Sequence, residues 1–328
     1  MSRQPRRRFL FAASALAVWP SAALAQTERR SARVAVLVQV TAAAAKPFLD
    51  ALIEQMTGRG WREGVNIEYV IQYAGGTARL DSLAAELVAQ KPDLILAANT
   101  AGALAARKHT SSIPIVFSFV FDPVALGLVA SLSKPGGNVT GTTTRFEGLW
   151  GKRLQLLHEA LPSLRRVAVL YDPSDAEDVT TARNLQAAAS ELTLEVQPFT
   201  ARRPEDISGS FSAMKSERMG AVMTGGSGLI FEHRKLIADV AMEHRIPTFG
   251  VTEDKVEAGM LMSYGINLLG QYLITARYAD RILRGARPSD LPVEQPTVLR
   301  LCVNLKTAKL LGITIPQSIL LRADRVIE

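Results

Sequence analysis

The feature that most constrains the fold is a regular alternation of two kinds of segment. Short, continuous apolar runs such as Arg33–Val40 (Arg-Val-Ala-Val-Leu-Val-Gln-Val) are typical of strands buried on both faces of a sheet. Between them lie stretches with helical spacing, such as Lys46–Arg59, in which Phe48, Leu52 and Met56 share one apolar face. Strand and helix in strict succession favour a parallel sheet with right-handed crossovers. The sequence therefore predicts an α/β protein.

The alternation restarts after Thr144, so the chain has two similar halves. The Gly- and Thr-rich segment 141–144 and Gly265-Ile266-Asn267 resemble hinge linkers, and Pro288–Pro296 resembles a third linker. We predict two Rossmann-like lobes with parallel sheets, joined by hinge crossovers, with a ligand cleft where the strand ends meet. The expected boundaries are 32–143 plus about 266–290 for the first lobe, and 144–265 plus about 291–328 for the second.

Residues 1–25 have the three parts of a secretory signal peptide. Met1–Arg8 is basic, Phe9–Trp19 is an apolar run too short to span a bilayer comfortably, and Ala23-Leu24-Ala25 forms a cleavage site of small residues. The run Arg6-Arg7-Arg8-Phe9-Leu10 also resembles the twin-arginine export pattern, so both the general and the twin-arginine routes stay open. We expect export to the periplasm, without a lipid anchor or a transmembrane helix.

Composition argues against several classes of function. Of the 38 basic residues, four lie in the predicted signal peptide, which leaves 34 basic against 31 acidic residues and a net charge of +3. So small a charge, without a basic cluster that contains aromatic residues, argues against a nucleic-acid partner. Cys302 is the single cysteine, so a cysteine-based metal site is excluded. Because no catalytic triad motif, phosphate loop or metal-binding histidine spacing is present, we expect no enzyme activity, cofactor or metal.

Polar residues at the carboxyl ends of predicted strands are the candidates for ligand contact, since ligands of open α/β sheets bind there. Asn99 and Thr100 begin a helix whose free N–H groups suit a carboxylate, although helix capping by Thr100 is an alternative. Asp122 either faces the cleft or caps a helix predicted at 124–132. The candidates in the first half are Gln39, Asn99, Thr100, Ser118, Val120, Asp122 and Thr142.

The second half offers four more candidates at strand ends. Asp172 and Glu253 could each face an ammonium group, or could be a helix cap and a solvated acid respectively. Ser227 lies in the glycine-rich loop Gly225-Gly226-Ser227-Gly228, which follows an apolar strand and lacks the dinucleotide-binding order. Tyr264 ends a strand, where it could stack on a ligand ring or pack at the hinge.

Several runs carry a resemblance to a known family. The most specific block combines Asp122-Pro-Val, Gly127-Leu-Val-Ala-Ser-Leu132 and Pro135-Gly-Gly-Asn-Val-Thr-Gly141. The sequence resembles the periplasmic substrate-binding proteins of ABC transporters, in the group whose members include receptors for tryptophan and other aromatic amino acids. The remaining runs are Lys91–Ala97, Ile113–Phe117, Asn304–Pro316 and Arg322–Glu328. The resemblance covers nearly the whole chain after residue 25.

The resemblance implies a type I periplasmic-binding-protein fold that closes around its ligand and catalyses no reaction. It implies a small-molecule ligand, with aromatic or branched amino acids as the leading class, and an ABC permease in the inner membrane as partner. We expect a monomer. A ligand sensor for a membrane signalling partner is the alternative, and a periplasmic α/β enzyme is a weaker one. One departure concerns Asp172, because family members often carry Asn with a small polar neighbour there.

Overall fold

The computed structural model of the protein describes residues 31–144 and 148–328, and the predicted signal peptide lies outside them. The strands are β1 (Ala32–Val38), β2 (Ile67–Tyr73), β3 (Leu94–Ala97), β4 (Ile115–Val120), β5 (Val139–Thr143), β6 (Arg166–Tyr171), β7 (Glu195–Thr200), β8 (Ala221–Thr224), β9 (Thr248–Gly250), β10 (Met262–Ile266), β11 (Leu299–Asn304) and β12 (Arg325–Ile327). The α-helices are α1 (Ala42–Gly58), α2 (Leu80–Ala89), α3 (Thr100–His109), α4 (Leu149–Ala160), α5 (Ala176–Ala189), α6 (Asp206–Ser216), α7 (Gly228–Glu232), α8 (Arg234–His244), α9 (Glu253–Glu257), α10 (Leu268–Leu283), α11 (Leu305–Leu311) and α12 (Gln317–Leu320).

The first five strands form a parallel sheet in the order β2-β1-β3-β4-β5. Helices α1 and α10 cover one face, where Leu52 and Ala276 pack against strand residues such as Val36. Helices α2 and α3 cover the other face, where Leu83 and Ala106 pack. We call this sheet and its helices lobe 1. The apolar strand runs were predicted correctly because burial on both faces removes any need for alternation with polar residues.

The remaining strands form a seven-stranded sheet in the order β12-β11-β10-β9-β8-β6-β7. Its two faces are covered by α4, α5, α11 and α12 on one side and by α6 and α8 on the other. We call this sheet and its helices lobe 2. Most of its strand pairs are parallel, but β10 and β11 run antiparallel. The prediction of wholly parallel sheets is corrected at this pair. Between β10 and β11 the chain runs through α10 of lobe 1, so the two strands are not joined by a crossover helix of their own lobe, which is what makes neighbouring strands parallel.

The predicted helix at 124–132 is wrong. This segment forms consecutive turns, with Gly127 N–H donating to the carbonyl of Val124 and both Leu128 and Val129 N–H groups donating to Pro123. Gly127 has a φ of +68°, a left-handed conformation that ends any helical turn. The apolar spacing of the segment instead reflects burial, since Leu128 and Val129 pack into the core of lobe 1.

In the described part of the chain, the polypeptide crosses between the lobes after β5, between β10 and α10, and before β11. We call these crossing segments the passages. Two glycines allow close strand contact beside the first two passages. A Cβ on Gly141, whose φ is +156°, would lie 2.0 Å from the carbonyl oxygen of Phe117. A Cβ on Gly265 would lie 1.9 Å from that of Val251. In the third passage, the backbone carbonyl oxygen of Glu294 accepts the N–H of Thr143 at 2.9 Å. No helix among the described residues is long and apolar enough to cross a membrane.

Candidate functional site

The carboxyl ends of the two sheets face a common cavity of about 170 Å³. Lobe 1 contributes the segments that follow β1, β3 and β4, and lobe 2 contributes those that follow β6, β8 and β9. A single water molecule needs roughly 10–15 Å³ of such space, so the cavity has room for a small organic solute. It therefore lies where an open α/β sheet binds ligands.

An aromatic cluster forms one wall of the cavity. The rings of Phe48 on α1 and Tyr272 on α10 stack with centroids 5.5 Å apart, and Phe119 contacts Tyr272 at 5.4 Å. Phe231 of α7 reaches across from lobe 2 and lies 5.6 Å from Phe48. Phe119 has a φ of +59°, at the irregularity where β4 shifts register against β5. A large side chain in this left-handed conformation carries strain, which is common at ligand sites.

Arg153 of α4 is the buried cation of the cavity. It is 5 % exposed, donates its Nε hydrogen to the carbonyl oxygen of Tyr264 at 2.7 Å, and lies 4.4 Å from the ring centre of Trp150. Burial lowers the pKa of Arg153 to about 9. The guanidinium is therefore charged at neutral pH. A buried guanidinium of this kind favours an anionic ligand group that can accept two parallel hydrogen bonds.

Two carboxylates of lobe 2, Asp175 and Glu177, line the same cavity. Asp175 caps α5, with its Oδ1 accepting the N–H groups of Glu177 at 3.0 Å and Asp178 at 3.1 Å. Burial and the nearby Asp178 raise the pKa of Asp175 to about 6. Burial and repulsion from Asp175 raise the pKa of Glu177 to about 8, although a hydrogen bond from Thr100 and the charge of Arg153 act in the opposite direction. At neutral pH Asp175 is therefore mostly ionised and Glu177 mostly protonated, and a cationic ligand group beside them would favour the ionised form of both.

Contacts between the lobes close the cavity. The Thr100 hydroxyl of lobe 1 donates to Glu177 Oε2 of lobe 2 at 3.0 Å, and Thr41 donates similarly to Glu232. A Cβ on Gly228 of lobe 2 would lie 2.8 Å from Gln39 Cδ of lobe 1, so only glycine fits there without a shift. The described conformation is consequently a closed one.

Four of the residues predicted for the site lie at the cavity or beside it. Gln39, Asn99 and Ser227 line the cavity, and Thr100 contacts the cavity residue Glu177. Asn99 donates its Nδ2 hydrogen to Gln39 Oε1, while its Oδ1 accepts the N–H of Gly102 at 2.8 Å. Asn99, rather than Thr100, is thus the cap of α3. Their roles in ligand contact stay predictions.

The other predicted residues of lobe 1 do not line the cavity. Ser118 is buried and shares a hydrogen bond of 2.7 Å with Thr275 of α10, whereas Val120 packs in the core. The hydroxyl of Thr142 accepts the N–H of Phe119 at 3.4 Å. Asp122 accepts the N–H of Ala125 at 3.1 Å and so caps a turn instead of the predicted helix.

The three remaining predicted residues of lobe 2 also lie away from the cavity lining. Asp172 Oδ1 accepts the hydrogen of the Ser174 hydroxyl at 2.6 Å and also its N–H, which is a local turn contact. Glu253 pairs with Arg325 at 2.5 Å and with Arg300 at 3.5 Å. Tyr264 contributes its carbonyl oxygen, as the acceptor of Arg153, and its side chain packs against the core of lobe 2.

The aromatic cluster, Arg153 and the acidic pair were not among the residues predicted from the sequence. Most of these side chains project from helices, whereas the predicted site residues follow or end strands. A signal was present for Arg153, since it interrupts the apolar face that Leu149, Leu156 and Leu157 form on α4. A charged residue on a buried face is more informative than an exposed apolar one.

The described residues also bear on metal and thiol chemistry. No group of three or more His, Cys, Asp or Glu side chains among them is arranged to hold a metal ion. Cys302 is 1 % exposed in β11, and burial raises the pKa of its thiol to about 11. The thiol is therefore protonated at neutral pH, and Cys302 serves as a small packing residue.

Comparisons with known proteins identify the family. A family model described as ABC transporter substrate binding protein matches residues 33–327. The tyrosine-binding protein of Clostridioides difficile is 29% identical over 270 residues, which are 81% of this chain and 77% of that protein. A conserved domain protein from Vibrio cholerae is 29% identical with a TM-score of 0.84, and the match covers 90% of this chain and 100% of that one.

An ABC domain from Streptococcus pneumonia, solved in complex with L-Trp, has a TM-score of 0.83 at 24% identity, again over 90% of this chain and 100% of that one. The two-lobed architecture is that of the type I periplasmic binding proteins, as the resemblance implied. Because the family model spans almost all of the described residues, the chain belongs to the ABC transporter substrate binding protein family.

Proposed function

We propose that this protein is a periplasmic receptor that captures an aromatic amino acid between its lobes and delivers it to an ABC permease in the inner membrane. The observation that carries the proposal is the composition of the cavity. One cavity combines an aromatic cluster, a buried cation in Arg153, and the carboxyl groups of Asp175 and Glu177. An amino acid with an aromatic side chain carries the three complementary groups. The names of the tyrosine-binding relative and of the L-Trp complex support the same ligand class.

Each part of such a ligand has a partner in the cavity. Its carboxylate pairs with Arg153, which otherwise holds a buried positive charge with a single carbonyl as hydrogen-bond acceptor among the described residues. Its ammonium group faces Asp175 and Glu177. Its ring packs against the side chains of Phe48, Phe231 and their aromatic neighbours, where offset stacking adds to burial.

We further propose that binding closes the two lobes about the passages between them. The moving bodies are residues 32–143 with about 266–290, and 144–265 with about 291–328. Ligand groups that contact both lobes bind the closed form best and so shift the population toward it. The contacts of Thr100 with Glu177 and of Phe48 with Phe231 exist only when the lobes are together. The permease then binds the closed form in preference to the open one.

The remaining properties follow from this role. The basic, apolar and small-residue parts of residues 1–25 support export by a signal peptide, through the general or the twin-arginine route. A receptor that releases its ligand unchanged needs no catalytic group, cofactor or metal. It works as a monomer, with one permease complex as its partner.

The test is a binding screen of residues 26–328. L-tryptophan, L-tyrosine and L-phenylalanine are compared with L-leucine, L-glutamate and L-lysine by thermal shift and calorimetric titration. At a hundredfold excess over Kd, a bound ligand stabilises the protein by about 2.7 kcal/mol, which is readily seen as a higher Tm. We expect the aromatic amino acids to raise Tm and the others to leave it unchanged.

Two variants make the screen specific for the cavity. Arg153→Gln should lower the affinity for the aromatic amino acids at least about a hundredfold, because the ligand carboxylate loses a buried charge partner. Arg203→Gln, in an exposed ion pair with Asp206, is the matched control and should bind normally. The proposal is rejected if no aromatic amino acid binds, or if Arg153→Gln binds as the wild type does.

A further inference from the structure

Two charged side chains are almost completely buried behind the glycine loop at residues 225–228, without lining the cavity. Asp178 of α5 is 0 % exposed and Lys255 of α9 is 1 % exposed. The loop itself supplies Gly226, Ser227 and Gly228 to the cavity wall. Charged side chains are rare in protein cores unless they form ion pairs, so the burial of Asp178 and Lys255 needs an explanation.

Asp178 holds the amide side of the loop. Its Oδ1 accepts the N–H groups of Gly226 at 2.6 Å and of Ser227 at 3.0 Å, and its Oδ2 accepts the N–H of Asp172 at 2.9 Å. A Cβ on Gly225 would lie 2.2 Å from the same Oδ1. The approach of the carboxylate therefore requires glycine at position 225.

Lys255 holds the carbonyl side of the same loop. Its Nζ donates to the carbonyl oxygen of Gly225 and to the hydroxyl of Thr224 at 3.1 Å. A Cβ on Gly250 would lie 2.8 Å from Lys255 Cβ, so the lysine also requires a glycine at its own side. Together the ammonium and the carboxylate fix the 225–226 peptide group at its carbonyl and at its N–H, and the carboxylate also holds the N–H of the next peptide group.

Local stability is a poor explanation for the pair. Moving two charges from water into a protein interior costs several kcal/mol each, and well-packed apolar residues are often as stable or more so. What the pair does fix is the surface with which lobe 2 meets lobe 1. Gly228 lies against Gln39 of lobe 1, and Ser227 caps α7, which carries Phe231 of the aromatic cluster.

We propose that Asp178 and Lys255 are positioning residues for ligand capture: they hold the loop at 225–228 so that Phe231 and Gly228 meet lobe 1 in the closed form. The inference rests on the proposed receptor function. Neither side chain contacts the ligand, and their loss weakens binding through the loop alone.

The first measurement needs no ligand. Hydrogen exchange of the amides at 225–228 should accelerate at least about tenfold in Asp178→Asn and Lys255→Met, while exchange in β6 stays as in the wild type. Asp206→Asn is the matched control for the aspartate, since Asp206 Oδ2 also accepts two backbone N–H groups, of Arg202 and Arg203. Lys215→Met is the control for the lysine, since Lys215 donates to the carbonyl of His244 at 3.1 Å.

The second measurement is the Kd for L-tryptophan, taken well below the Tm of each variant. Asp178→Asn and Lys255→Met should each bind about tenfold more weakly or worse, and the double variant should bind no worse than the weaker single one, because the two side chains act on one loop. The two control variants should bind normally. A variant that folds and binds L-tryptophan with wild-type affinity despite faster loop exchange overturns the proposal.

A pH series separates positioning by charge from a general structural role. Burial lowers the pKa of Lys255 to about 8; the charges that face it are Asp254, Asp178, Arg153 and Arg234. The ratio of the Kd of Lys255→Met to that of the wild type should shrink as pH rises from 7 to 9.5, because wild-type Lys255 then loses its own charge. Titration of the ligand, of Glu177 and of Arg153 occurs in both proteins and cancels in this ratio to first order. A ratio that stays constant contradicts the proposal.

The outcomes distinguish this proposal from the receptor function. A wild-type protein that binds no aromatic amino acid refutes the function, and unchanged loop exchange in the variants refutes the positioning role independently. If Asp178→Asn does not fold, Lys255→Met and the pH series still decide.

Discussion

Replacing Glu177 by glutamine isolates the electrostatic cost of burying this carboxyl group. Glutamine keeps the size of the side chain and an oxygen that can accept the Thr100 hydroxyl, so the contact between the lobes survives. The variant removes the negative charge, which faces Asp175 in the cavity. The comparison therefore measures the free energy of ionising one group inside the closed receptor.

The sign follows from the direction of the pKa shift. Burial raises the pKa of Glu177 from 4.5 to about 8, so between these values the folded protein keeps a proton that the unfolded chain has released. Stability contributed by this group is complete below pH 4.5 and is lost as pH rises toward 8. At 1.36 kcal/mol for each unit of pKa, the whole shift corresponds to about 4–5 kcal/mol, and we expect about 2–4 kcal/mol of it between pH 5 and pH 8.

Urea denaturation at pH 5, 6, 7 and 8, followed by tryptophan fluorescence, gives the free energy of unfolding of both proteins. The stability of Glu177→Gln relative to the wild type should rise with pH over this range. Glu195→Gln is the control, because the guanidinium of Arg166 holds the pKa of Glu195 below its ordinary value and the gain should be absent. A difference between Glu177→Gln and the wild type that stays within about 0.5 kcal/mol from pH 5 to pH 8 would refute the reasoning.

Three further predictions concern single contacts. Tyr272→Phe should lower the affinity for L-tyrosine and L-tryptophan about tenfold and leave L-phenylalanine unchanged in calorimetric titrations, because the Tyr272 hydroxyl in the cavity has no hydrogen-bond partner among the described residues. Gly141→Ala should cost at least about 2 kcal/mol in urea denaturation, whereas Gly137→Ala, with no atom within 4 Å, should be neutral. Thr100→Val should speed L-tryptophan dissociation in stopped-flow measurements about three- to tenfold with little change in Tm, because Asn99 caps α3; a matching fall in Tm would assign Thr100 a structural role instead.

Much of the fold could be predicted from the sequence because a short, continuous apolar run is enough to indicate a buried strand. The predicted strand Arg33–Val40 differs from β1 by only a residue or two at its ends, since its continuous apolar run depends on no distant partner. The segment 124–132 is an exception. Its apolar spacing suits a helix, yet Gly127 and the turn contacts to Pro123 prevent one.

The candidate site was less predictable because it is assembled from helices of both lobes. Phe48 and Tyr272 lie far apart in the sequence, and each has the spacing of an ordinary core residue. Which apolar face meets solvent-filled space rather than another helix depends on the relation between the lobes, and no local pattern encodes it. Gln39, Asn99 and Ser227 were accessible to sequence reasoning because they follow strands directly.

Because the chain passes repeatedly between the lobes, each lobe contains segments that are synthesised at widely separated times. Lobe 1 gains α10, which covers β3 and β4, only after β6 to β10 of lobe 2 have been made. Lobe 2 in turn gains β11 and β12 only after α10. Neither lobe can therefore complete its core as the chain emerges, although domains made of one continuous segment can fold in turn. Lobe 1 stays incomplete until α10 has been made and lobe 2 until β12 has been made, so a chaperone that binds the chain before α10 is synthesised meets two unfinished halves rather than one finished domain and a tail.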